Sequence, residues 1–170
     1  MRIRFRLPLV LLIVLGTCFA VGYLSMLRPR AEVTSQPLNA AEFRARFPDL
    51  RIPASAQNVL FARSSVGLGG RAMLYRFDAP LSDCVEHAKG LMRTGDRNAA
   101  DGPDSPPRRL VTLTAPPRRI VPELLAAYGL ADVTWFDIED IRAGLEGTDP
   151  SGGLIWVDTI RARVYYCRTD

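Results

Sequence analysis

The stretch RAMLYRFDAPLSDCVEHAKGLM, residues 71–92, changes its hydrophobic period halfway along. From Arg71 to Phe77, Met73, Tyr75 and Phe77 share one face at period two, the repeat of a β-strand. Asp78-Ala79-Pro80 then breaks the strand. Beyond it, Leu81, Cys84, Val85, Ala88, Leu91 and Met92 recur at helical spacing and form one apolar stripe. A strand running through a short breaker into an amphipathic helix predicts a sheet with a helix laid against it.

Upstream, NVLFAR (58–63) reads as a second strand, joined to the first by SSVGLGG. Gly67-Leu68-Gly69-Gly70 lacks the lysine and Ser/Thr of a phosphate-binding P-loop, and its place between two strands makes it a hairpin turn. Asn39 with Glu42 three positions later resembles a capping box. Phe43 and Phe47 lie on one face of the helix it opens, which Pro48 ends. Downstream, residues 93–108 are polar and rich in Gly, Pro and Asp, the composition of an exposed flexible loop. Arg109–Thr114 and Val133–Phe136 read as short strands. Pro122 begins a brief helix that Gly129 ends. Asp137 caps a turn or two with Ile138, Ile141 and Leu145 inward, ended by Gly147. GLIWVD and RVYYC close the chain as a hairpin. The expected fold is α+β: an antiparallel sheet with short helices packed on one face, over residues 39–170.

The N-terminus reads differently. Residues 7–27 hold no charge and would span about 30 Å as a helix, enough for a hydrocarbon core. Residues 1–6 supply three arginines, and Arg28 and Arg30 follow, an arrangement that favours a cytoplasmic N-terminus. The expectation is one transmembrane anchor (7–27), a stalk over 28–38, and a periplasmic or extracellular domain. A signal cleaved after Ala20 and a lipoprotein signal at Cys18 are the alternatives. Both leave the apolar run through Tyr23, Leu24, Met26 and Leu27 unexplained.

Charge follows the same division. The chain carries a formal +4, but residues 1–30 hold five arginines and no acid. The remainder has 17 basic and 18 acidic side chains, a net of −1, which gives a nucleic-acid backbone little long-range attraction. Arginine outnumbers lysine 21 to 1, a compositional bias that is not by itself a phosphate signature.

Outside the N-terminal segment the cysteines are Cys84 and Cys167. An exported domain sits where disulfides persist, so the expectation from compartment and number is a bond between them. Strand parity leaves it open. His87 is the only histidine, and beside Ser82 and Asp83 it superficially imitates a hydrolase triad. Three residues on one helix do not supply the separate elements a triad uses, and the helical period puts His87 on the solvent face. One histidine and two distant cysteines offer no metal site, and Asp137, Glu139 and Asp140 read as a helix cap. No catalytic, cofactor or metal residue is therefore assigned. Two binding surfaces remain: a ligand groove lined by Trp135, Trp156, Tyr165 and Tyr166, and anion contacts at Arg108, Arg109, Arg118 and Arg119.

Ile52-Pro53-Ala54-Ser55-Ala56, Phe77 with Ala79-Pro80 and Asp83-Cys84, and Ile155-Trp156-Val157-Asp158 followed by Val164-Tyr165-Tyr166 resemble small bacterial membrane-anchored or lipoprotein-like proteins. The resemblance covers most of residues 50–170. It implies export and an α+β domain, and brings no assigned activity. The expected function is that of a non-enzymatic binding or accessory module of an envelope complex, with a membrane and an envelope protein as partners. The alternative is a small-ligand or cell-wall binder using the aromatic hairpin, with a hydrolase the less favoured third reading.

Overall fold

The computed structural model describes residues 14–20, 22–23, 29–48, 50–67, 69–94, 109–117 and 122–169. Seven strands form one antiparallel sheet: β1 (Arg30–Val33), β2 (Gln57–Val66), β3 (Gly70–Asp78), β4 (Val111–Thr112), β5 (Gly144–Thr148), β6 (Leu154–Asp158) and β7 (Arg163–Thr169). Their spatial order is β1-β2-β3-β7-β6-β5-β4. Two meanders, one from each half of the chain, thus meet where β3 pairs with β7, Tyr75 opposite Tyr166 and Phe77 opposite Val164. Helices α1 (Ala40–Arg46), α2 (Leu81–Thr94) and α3 (Pro122–Ala127) accompany the sheet.

Central strands are apolar on both faces because both faces are covered. On one face Val59, Phe61, Tyr75, Phe77, Ile155, Val157, Val164 and Tyr166 meet Phe43 from α1 and Cys84, Ala88 and Met92 from α2. The rings of Phe43 and Phe47 close on Phe61 at 5.7 and 4.1 Å. Burying one such ring contributes about 1.5–3 kcal/mol. On the other face Ala62, Ala72, Leu74, Trp156, Tyr165 and Cys167 pack against Leu125 of α3 and the irregular segment carrying Leu130, Val133, Ile138 and Ile141. Helices on one face only is therefore corrected. The short strand-prone run 133–136 becomes turns rather than a strand, since Val133 and Ile138 both turn inward to cover this second face.

The cap at Asn39 forms as its spacing implies. Its side chain accepts from Ala41 and Glu42, and Glu42 accepts from the Asn39 N–H at 2.9 Å. The segment expected as a stalk instead contributes β1, which pairs with β2 from Arg30↔Ser65 to Val33↔Ala62. The helical turns expected from Ile138 to Gly147, capped by Asp137, hold only a 3-10 turn at Ile138–Asp140 before the chain extends into β5. There a side chain on Gly144 would collide with the carbonyl of Val157. The close backbone approach of two strands explains that glycine, and Gly147, expected as a helix end, lies within β5.

Two further expectations fail. Among the described residues no helix is long and apolar enough to cross a membrane. Helical backbone is described over 14–20, about 10 Å of rise and a third of a hydrocarbon core, and at 22–23. The rest of 7–27 lies outside the described residues, as does nearly all of the loop expected at 93–108. The single-pass assignment, with its cytoplasmic N-terminus and tethered domain, is withdrawn on this finding. The Cys84–Cys167 disulfide is also absent, both thiols being free and buried. Cys84, on the inner side of α2, packs on the face that Tyr166 shares, and Cys167, the next residue of β7, points to the opposite face. The sheet stands between the two sulfurs.

Candidate ligand groove

Antiparallel register aligns side chains in rows across a sheet. One row runs Val111↔Glu146 (β4 to β5), Glu146↔Trp156 (β5 to β6) and Trp156↔Tyr165 (β6 to β7). The adjoining row pairs Thr148 with Leu154 and Leu154 with Cys167. Toward β7 these rows are covered by Phe136, whose ring meets Trp156 at 6.3 Å and Tyr165 at 5.6 Å. Toward β4 this cover of described residues ends, and a groove of about 670 Å³ opens over Val111, Glu146, Leu154 and Trp156. Its far wall is Thr114-Ala115-Pro116-Pro117, and Arg109 stands at its rim.

The groove has an apolar floor and sparse charge. Trp156 is 6% exposed, a ring held in place by the core with only part of it open. Leu154 and Val111 are 41% and 52% exposed, large apolar side chains left open at the mouth. Arg109 and Glu146 bring opposite charges to the same space. An apolar surface with a few polar groups is the usual build of a small-ligand site.

The four aromatic residues expected in one groove are divided by the sheet. Trp156 lines it. Tyr165, on the same face, is fully buried and donates through its hydroxyl to Asp137 at 3.0 Å. Trp135 lies against Phe136 at 5.9 Å, away from the lining, and its buried indole N–H has no partner among the described residues. Tyr166 faces α2 and donates to Asp149 at 2.6 Å. Of the expected arginines, Arg109 borders the groove, while Arg108, Arg118 and Arg119 lie outside the described residues.

Glu146, Val111, Leu154 and the Pro116-Pro117 wall escape the sequence reading because β5 does. One signal for β5 was present. Asp149-Pro150-Ser151-Gly152-Gly153 is a turn, and a hairpin turn needs an arm on each side. The Asp149 carboxylate accepts from the N–H groups of Ser151 and Gly153 and from the hydroxyls of Ser151 and Tyr166. Burial raises its pKa, but these donors, Tyr166 first, outweigh burial and hold it below the usual carboxylate range.

The other polar residues singled out in the sequence, His87, Ser82, Asp83 and Asp137, are engaged structurally. His87 is not on the solvent face. It lies against Tyr75 and Phe77, with the Tyr75 hydroxyl 3.0 Å from its Nε2, and burial pushes its pKa down to about 4. The rings of Tyr75 and Phe77 reach beyond the apolar stripe, so a position one step off it is still covered. Ser82 and Ser55 both donate to Asp83, so serine, acid and histidine form no relay. Asp137 is occupied by Arg76 at 2.7 Å, Arg161 at 3.4 Å and Tyr165. Among the described residues no three potential metal ligands converge. Comparison of the chain with family models, with curated proteins and with solved structures found no match.

Proposed function

We propose that this domain is a non-enzymatic binding module that takes a small ligand in the Trp156 groove. The ligand class is an amphiphile with a flat or aliphatic body against Trp156 and Leu154 and a charged end toward Arg109 or Glu146. The single observation that carries the reading is the opening of an otherwise covered sheet face over Trp156, with Leu154 and Val111 exposed beside it. Solvated apolar surface on a rigid sheet binds without the cost of ordering a loop. The groove's polar side chains, Arg109, Glu146, Thr114 and Thr148, suit orientation of a ligand.

Titration with 1-anilinonaphthalene-8-sulfonate, an aromatic amphiphile with one negative charge, tests the proposal. The probe's fluorescence rises to saturation on the folded protein. Leu154→Asp, at an exposed position, abolishes the rise while leaving the circular dichroism spectrum and thermal midpoint unchanged. Absence of saturable binding, or binding that Leu154→Asp leaves intact, refutes the groove as a site.

A further inference from the structure

The sheet's opposite edge carries a second concavity, of about 540 Å³, built from β1, β2 and β3. The register there is Arg30↔Ser65 and Ser65↔Arg71. Three side chains therefore stand in one row on one face, a hydroxyl between two guanidiniums. Strand spacing separates the outer Cα atoms by about 10 Å, a gap two arginine side chains span with ease. The adjoining row is Glu32↔Arg63↔Met73, with Arg168 of β7 opposite Met73. The depression is thus bordered by several arginines and one acid.

That acid is already engaged. Glu32 accepts from Arg46 at 2.8 Å and from Arg63 at 2.9 Å. Burial raises its pKa, but the hydrogen bonds and charges of these two arginines together outweigh that and lower it. Arg30 and Arg71 have no acidic partner among the described residues. Arg46, Arg63 and Glu32 leave a net positive charge beside them. Ser65 is exposed between them with its hydroxyl available. Two planar donor forks and a hydroxyl in one row along a concave surface match a tetrahedral oxyanion with several acceptor oxygens.

We propose that Arg30, Ser65 and Arg71 form a binding site for a phosphate-type dianion, either free phosphate or the phosphate group of a small monoester. Arg30 and Arg71 each bind two oxygens from opposite sides, Ser65 donates to a third, and Arg63 adds charge from the adjoining row. The site is separate from the Trp156 groove, which lies at the other edge of the sheet.

The test follows the arginine Nε–Hε resonances by NMR during titration with inorganic phosphate and, separately, glycerol 3-phosphate, with ionic strength held constant by sodium chloride. The expected result is saturable movement of the Arg30 and Arg71 signals. Arg30→Gln and Arg71→Gln each weaken binding about tenfold. Ser65→Ala weakens it severalfold, and Arg142→Gln, outside both concavities, has no effect. Tighter binding of the monoester assigns an organic phosphate and equal binding assigns free phosphate; either keeps the clamp. Movement that never saturates, or saturation that Arg30→Gln and Arg71→Gln leave unchanged in variants with wild-type thermal midpoints, overturns it.

Discussion

His87 shows how burial at one residue becomes a pH dependence of the whole domain. Its folded pKa is pushed from 6.5 to about 4 by burial beside Tyr75 and Phe77. Between those values the unfolded chain takes up a proton that the folded chain refuses, so stability is full above pH 6.5 and falls as pH drops toward 4. The shift is worth at most about 3 kcal/mol. Thermal denaturation from pH 7 to 4.5 should show a falling midpoint in the wild type and a shallower fall in His87→Gln. Equal slopes would contradict the burial. The carboxylates act in another window: hydrogen bonds that outweigh burial hold Asp78 and Asp149 below their ordinary value, so their contribution is lost only as pH falls below about 3.8. Removing the Tyr166 hydroxyl takes one donor from a 6%-exposed carboxylate. Tyr166→Phe is expected to cost about 1–3 kcal/mol in urea unfolding, and an unchanged midpoint would show the pair to be dispensable.

Strands and helices were legible in proportion to how fully local chemistry specified them. The 71–92 stretch changes period at Asp78-Ala79-Pro80, and β3 and α2 meet there. Asn39 carries its cap in its own side chain. Gly129 takes a left-handed φ of +68° just after α3, as a helix-ending glycine does. β1 and β5 were not legible, because each is a strand only through its partner. RAEV beside prolines looks like linker until β2 supplies Glu32 with Arg63, and GLEGT has two glycines and little β propensity. Gly144 earns its place only through the nearby Val157 carbonyl. Gly144→Ala should therefore destabilise by about 2–3 kcal/mol, measured by chemical denaturation, and a neutral result would mean the strands can part there. The β6–β7 turn makes the opposite prediction. Ala162 sits at a φ of +51°, where a Cβ is unfavourable, so Ala162→Gly is expected to raise stability by up to about 1 kcal/mol.

At the scale of the molecule, sidedness governs both the failed disulfide and the surviving groove. Sequence alone cannot say which face of a sheet a helix covers, and a partner swap from one face to the other reverses every inference about neighbours. Cys84 and Cys167 are separated by the sheet, and burial raises their thiols to about 11 and about 12. Both should resist alkylation in the folded protein and react after unfolding, and dithiothreitol should leave the thermal midpoint unchanged. A midpoint lowered by the reductant would restore the bond. The same sidedness separates Tyr166 from Trp156 and leaves one tryptophan at the open end of the second face. The chain's two tryptophans provide a direct comparison. In a two-dimensional ¹H–¹⁵N spectrum recorded during titration with 1-anilinonaphthalene-8-sulfonate, the indole N–H signal of Trp156, assigned through Trp156→Phe, should shift to saturation while that of Trp135 stays still. Movement of Trp135 alone, or of neither, would contradict a ligand groove over Trp156.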